Sequence, residues 1–139
     1  MIPNFKAHPW HGISAGTDVP NVVNVFVEIV PSDTIKYEID KQSGYLKVDR
    51  PQQFSNIIPA LYGFIPRTYC HDEVLKLALE SGADDVETGD LDPLDICVLS
   101  SHNIHAGGML MEAIPIGGFK MIDKGEADDK IVAVMKGDH

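Results

Sequence analysis

Apolar positions along this chain recur in short, mostly alternating runs broken by Pro, Gly, Asp and Ser. Val22 to Val30 is rich in β-branched residues and ends at Pro31, which predicts a strand. Thr34 to Ile39 alternates strictly: Ile35, Tyr37 and Ile39 share one face, Lys36 and Glu38 the other. Asp40-Lys41-Gln42-Ser43-Gly44 then reads as a hairpin loop, Tyr45 to Asp49 as the returning strand and Pro51 as its stop. Further strands are expected at Ile96–Ser100, Met109–Ile116, Phe119–Ile122 and Lys130–Met135. Asp72 to Gly82 is the one helical stretch, with Val74, Leu75, Ala78 and Leu79 on its apolar side. Many short strands and one helix predict a mainly β (α+β) fold, a small, closed, mainly antiparallel barrel with a flanking helix.

Size and composition narrow the function. A chain of 139 residues with 44% hydrophobic content is expected to form one domain with a proper core. It contains no run of eighteen apolar residues, and Met1 to Gly12 lacks the apolar centre of a secretory signal. A net charge of −10 argues against nucleic acid and against anionic membrane surfaces. Anionic substrates would need metal ions to reverse the local sign. Cys70 and Cys97 make no disulfide framework, and Cys97, inside an apolar run, is expected to be a buried reduced thiol. A cytoplasmic setting fits these features.

The acids are not spread evenly. Asp84, Asp85, Glu87, Asp90, Asp92 and Asp95 fall within twelve residues that hold no Lys or Arg, and the last runs straight into Ile96-Cys97-Val98-Leu99. A second cluster, Asp123, Glu126, Asp128 and Asp129, precedes Ile131-Val132-Ala133-Val134. Acids massed at the mouths of two core strands suit hard cations such as Mg²⁺ or Ca²⁺; a solvated acidic loop is the alternative. Asp90-x-Asp92-x-x-Asp95 begins like a calcium-binding loop, but its sixth position is Asp95 instead of Gly and its twelfth is Ser101 instead of Glu. A turn stiffened by Pro93 and carrying three carboxylates better suits Mg²⁺, whose retained water can lose a proton near neutral pH.

Glu28 shares a strand face with Phe26 and Val30, an odd place for an acid without a partner. Were the first two strands a hairpin, Glu28, Lys36 and Glu38 could converge, either as a site or as a cross-strand salt bridge worth about 0.2–1 kcal/mol. Other constellations are weak. His8 and His11 flank Trp10 without metal-ligand spacing, and His71, His102, His105 and His139 match no zinc pattern. Gly107-Gly108 and Gly117-Gly118 read as turn or bulge glycines.

Taken together, the segments from about Glu28 to Met135 resemble the soluble, single-domain family I inorganic pyrophosphatases. Asp90-Leu91-Asp92-Pro93-Leu94-Asp95 is similar to that family's Asp-Gly-Asp-Pro-x-Asp signature. Ile35-Lys36-Tyr37-Glu38-Ile39-Asp40, Val48-Asp49-Arg50, Tyr62-Gly63-Phe64-Ile65-Pro66, Pro115-Ile116-Gly117, Lys120-Met121-Ile122-Asp123 and Asp128-Asp129-Lys130 follow in the family's order. The resemblance implies a five-stranded OB-like barrel with flanking helices, and Mg²⁺-dependent hydrolysis of pyrophosphate to two phosphates. It implies Asp90, Asp95 and Asp128 as direct metal ligands, Asp123 as ligand to a metal that arrives with substrate, and Asp92 as ligand and proton acceptor. Glu28 and Glu38 would act through bound water. Lys36, Arg50 and Tyr62 would contact phosphate oxygens, with Lys130 at the edge of the site. Many bacterial relatives assemble as hexamers, so a homo-oligomer is expected.

The chain also departs from that pattern. Leu91 replaces the usual Gly, at a cost of about 1–2 kcal/mol if that backbone is left-handed. Ile58 stands where many members carry Tyr, and the stretch from about Cys70 to Gly89 is longer than in the shortest bacterial members. Residues 1–139 are expected to form a single pyrophosphatase-like domain that lacks the family's C-terminal helical segment with its phosphate-gripping Tyr-Lys pair. The alternative function is a non-catalytic barrel that binds divalent cations or phosphate.

Overall fold

The computed structural model describes residues 6–51, 60–68, 88–89, 92–119, 122–123, 126–127 and 129–138. Among these, the strands are β1 (Val23–Ile29), β2 (Ile35–Ile39), β3 (Leu46–Pro51), β4 (Leu61–Phe64), β5 (Thr88–Gly89), β6 (Asp95–Leu99), β7 (Met109–Phe119), β8 (Ile122–Asp123), β9 (Glu126–Ala127) and β10 (Lys130–Met135). Five of them close into a barrel in the order β1-β4-β6-β10-β7. The other pieces are the β2–β3 hairpin and a small sheet of β5, β9 and β8. The five-stranded barrel expected from the sequence is therefore the observed architecture.

Alternation along each barrel strand divides its side chains between two environments. Val23, Val25 and Val27 of β1, Leu61 of β4, Ile96 and Val98 of β6, Ala113 of β7 and Ala133 of β10 point inward and form one buried cluster. Alanines on β7 and β10 keep that interior narrow enough for the larger residues opposite to fill it. Burying each Val or Ile contributes about 1.5–3 kcal/mol. On the outer side, Phe26 and Phe64 pack with Trp10 and Ile39 beneath the β2–β3 hairpin, and Leu46 closes the edge. One stretch of barrel wall is thus covered on both faces.

Two irregularities re-aim side chains there. Between β1 and β4 the register slips from Val27↔Gly63 to Ile29↔Tyr62, leaving Glu28 as an extra residue. Glycine is required opposite, because a Cβ on Gly63 would lie 1.9 Å from the Phe26 carbonyl oxygen. Between β2 and β3 the register passes from Lys36↔Arg50 to Tyr37↔Val48, so Asp49 is extra. The hairpin loop closes on Gly44, at φ 80°. Asp40 ties it together by accepting the Ser43 N–H (3.1 Å) and Oγ–H (2.5 Å).

Several expectations are corrected. β1 pairs with β4 and β7 and not with β2, so the first two strands are not a hairpin. β4 lies where no strand was expected, since its four residues are too short and glycine-bearing for a periodic signal. β7 continues through Pro115 to Phe119, where a break was expected after Ile116. Pro115 is tolerated because the β7–β10 register also slips beside it, between Val132↔Gly117 and Ala133↔Pro115. β3 includes Pro51. The barrel has one parallel pair, β6 with β10, within an otherwise antiparallel circuit. The helix expected at Asp72–Gly82 lies outside the described residues.

Candidate active site

The strand faces that point away from the barrel interior at β4, β6 and β10 carry the ionisable groups. Asp95 and Lys130 are direct neighbours across the parallel pair, and Tyr62 lies on the adjoining strand opposite Cys97. The Lys130 ammonium donates to the Tyr62 hydroxyl and to Asp95 Oδ2, both at 2.9 Å. Burial pulls the Lys130 pKa down, but the bonds to Tyr62 and Asp95 outweigh it and leave the amine above its ordinary value. Burial, and then the Asp95 charge, raise the Tyr62 phenol above its ordinary range. The raised values favour the ammonium form of Lys130 and the neutral phenol of Tyr62.

Glu28 reaches the same region from β1. It is 6% exposed, and its Oε2 accepts the Ile39 backbone N–H at 2.7 Å. Burial pushes its carboxyl up to about 8; the Ile39 bond opposes that, and the charges of Asp95 and Glu38 add to it. Burial also raises Glu38, with Lys36 opposing and Asp49 and Asp92 adding to the rise. Lys36 pairs with Asp49 at 3.5 Å. Asp92, just before β6, is ion-paired with Lys41 of the hairpin loop. Beside it opens a hollow of about 290 Å³, lined by Glu38, Asp40, Lys41, Lys47 and Asp49 among others. Acids and bases from β1, β2, β4, β6, β10 and two loops therefore share one electrostatic neighbourhood, although they are far apart in sequence.

Glu28, Lys36, Glu38, Tyr62, Asp92, Asp95 and Lys130 are all in this neighbourhood. Lys130, expected at the edge, bridges Tyr62 and Asp95. Of Arg50 and Asp123 only the backbone is described: Arg50 is the register partner of Lys36, and Asp123 pairs with Glu126 in the small sheet. Asp90, Leu91 and Asp128, like Ile58, Cys70, His71 and His139, lie outside the described residues. Among the described residues, no three His, Cys, Asp or Glu side chains come together closely enough to hold a metal ion. His8 and His11 both meet the Lys41 carbonyl oxygen, at 2.8 and 3.2 Å. Cys97 is a free thiol, half-buried on the outward side of β6 instead of in the interior, and burial raises its pKa.

Sequence reasoning gave neither Lys41 nor Asp49 a role in the site. Lys41 sits in a loop whose only visible signal was its late glycine. Asp49 enters through a bulge, which alternation along one strand cannot show.

Residues 25–139 match the family model described as inorganic pyrophosphatase. An inorganic pyrophosphatase of Chlamydia muridarum is 50% identical over 98% of this chain, and one of Chlamydia caviae 51% identical over 94%. A soluble inorganic pyrophosphatase of Zea mays is 42% identical over 97%. The chain spans 65%, 61% and 54% of those relatives' own lengths, respectively. The crystal structure of the Thermus thermophilus inorganic pyrophosphatase superposes with a TM-score of 0.74 at 30% identity, covering 95% of this chain and 64% of that one.

Proposed function

The chain belongs to the inorganic pyrophosphatase family, and on that premise we propose that it is an inorganic diphosphatase, splitting pyrophosphate into two phosphates. The observation that carries this reading is the convergence of Glu28, Lys36, Glu38, Tyr62, Asp92, Asp95 and Lys130 on one side of the barrel wall. The lysines there are already engaged: Lys36 with Asp49, Lys41 with Asp92 and Lys130 with Asp95. Two like charges 4 Å apart repel by about 4 kcal/mol at an effective dielectric near 20, so bare carboxylates would reject a polyanion.

The chemistry of these donors fits a hard divalent cation. They are carboxylate oxygens, and the acids next to them are raised in pKa partly by one another's charge, a repulsion that a cation relieves. In our proposal Mg²⁺ is the ion, held by Asp90, Asp92, Asp95 and Asp128, with Asp123 added when substrate arrives. When bound it supplies positive charge to the phosphate oxygens and lowers the pKa of its water.

The chain's own residues perform the remaining work. Asp92 accepts the proton of the attacking water as its oxygen bonds to one phosphorus and the bridging P–O bond breaks. Lys36, Arg50 and Tyr62 hold phosphate oxygens and offset the charge that grows on the leaving group. Glu28 and Glu38 orient bound water. Lys130 keeps Tyr62 and Asp95 in place. The same proposal covers residues 1–139 as one domain of a cytoplasmic homo-oligomer, a hexamer as in many bacterial relatives. The exposed Leu110, Ile114 and Ile116 of β7 support an interface between copies.

Phosphate release from pyrophosphate, measured with Mg²⁺ and with EDTA, tests the reading. Release that requires the metal is expected. Protein with verified bound Mg²⁺ and no turnover would overturn it.

A further inference from the structure

We propose that Lys41 is a positioning residue of this reaction, a displaceable cation that holds the Asp92 carboxylate before a divalent ion takes its place. A bracket in the N-terminal arm holds Lys41 itself. The inference rests on the reading of Asp92 as metal ligand and proton acceptor.

The bracket is built from three aromatic rings. His8 Nδ1 accepts the backbone N–H groups of Trp10 and His11, at 3.1 and 3.2 Å. With Nδ1 accepting, the ring N–H is on Nε2, which faces the Lys41 carbonyl oxygen at 2.8 Å. His11 stacks between His8 and Trp10, with centroids 4.2 and 4.8 Å away, and its own Nε2 reaches the same carbonyl at 3.2 Å. The Lys41 ammonium lies 5.9 Å from the centre of the Trp10 ring and pairs with Asp92.

The arm also braces the other partner of the pair. The Trp10 indole N–H donates to the Thr68 carbonyl at 2.8 Å. Thr68 Oγ1 in turn accepts the backbone N–H of Leu94 at 2.9 Å, two residues beyond Asp92. One buried tryptophan thus connects the loop that carries Lys41 with the segment that carries Asp92.

A freely moving surface lysine paired with a half-exposed aspartate contributes little, because fixing its long side chain offsets the attraction. Here the backbone of Lys41 is already fixed and an aromatic face receives its charge. The ammonium can leave Asp92 and remain beside Trp10, so the carboxylate is neutralised and oriented yet open to exchange. A divalent ion must displace this lysine in order to bind.

The test is Mn²⁺ affinity, measured by calorimetry on the 139-residue chain without substrate. Lys41→Met is expected to bind Mn²⁺ about two- to fivefold more tightly, the range set by an exposed ion pair. Lys47→Met, in the same hollow, controls for net charge and should change affinity less. His8→Ala should shift affinity in the same direction as Lys41→Met and add nothing in the Lys41→Met background. Unchanged affinity in Lys41→Met, equal shifts in Lys41→Met and Lys47→Met, or independent effects of His8→Ala and Lys41→Met would each overturn the inference. Those outcomes leave metal binding by the unaltered chain intact. Absence of saturable Mn²⁺ binding by that chain would overturn the proposed function as well.

Discussion

The inside of the barrel and its outer wall beneath the β2–β3 hairpin are made by the same strands but hold opposite chemistry. In β6, Ile96 and Val98 are fully buried in the interior, while Asp95 and Cys97 face outward. The interior cluster is entirely apolar. The outer wall combines an apolar half of Trp10, Phe26, Ile39 and Phe64 with a polar half of Glu28, Tyr62, Asp95 and Lys130. A dry interior asks nothing of its neighbours beyond shape. Each polar group on the outer wall needs a partner, because an unpaired buried charge is strongly unfavourable. Stability and chemistry are therefore largely separable here, although they share a backbone.

Four substitutions probe that separation, in descending order of expected effect. Ile96→Ala empties part of the interior and should lower stability by about 2–5 kcal/mol in urea denaturation. The protein that remains folded should keep its KM for pyrophosphate; a large rise in KM would show that the two faces are coupled. Asp92→Asn should reduce hydrolysis at least about a hundredfold, the lower range for losing a proton acceptor. Its denaturation midpoint should barely move, and a near-normal rate would reject the role given to Asp92.

Glu28→Gln keeps the hydrogen bond from Ile39 but cannot ionise. The folded carboxyl titrates near 8 and the ordinary one near 4.5, so the folded chain binds the extra proton between those values. Glu28 therefore contributes stability that is complete below about pH 4.5 and is lost as pH rises through 8. Measured without metal, Glu28→Gln should gain on the unaltered chain across that window, by up to about 5 kcal/mol at pH 9. Parallel pH profiles would show that Glu28 is ionised in the folded state at neutral pH. The smallest effect is expected from Lys36→Ala: a rise of about tenfold in KM, consistent with losing one charged hydrogen bond, with Mg²⁺ affinity largely kept. An unchanged KM would remove Lys36 from the phosphate contacts.

Much of the fold was legible. Strict alternation over Thr34–Ile39 located β2 to within one residue, and the apolar run of Lys130–Met135 located β10 at its observed bounds. The late glycine of 40–44 marked the hairpin loop correctly. β4 was missed because Leu61-Tyr62-Gly63-Phe64 is too short to establish a period, and its glycine answers to a carbonyl on another strand. The site was legible as a set of residue types in order, and Glu28 stood out as an acid on an apolar face. Its partner was misplaced: Glu28 reaches Ile39 by packing against the hairpin through a bulge, and not by strand pairing. The contact between Lys41 and the N-terminal arm left no trace in spacing at all.

Local patterning by itself determined most of the longer strands, the hairpin turn and which residue types are available for chemistry, because side-chain alternation and turn geometry act over a few residues. The choice of strand partners, the parallel seam that sets Asp95 beside Lys130, and the pairing of Lys41 with Asp92 were decided only in the folded chain. The last two contacts join residues 35 and 51 positions apart, and closing such distances depends on the packing of the whole barrel.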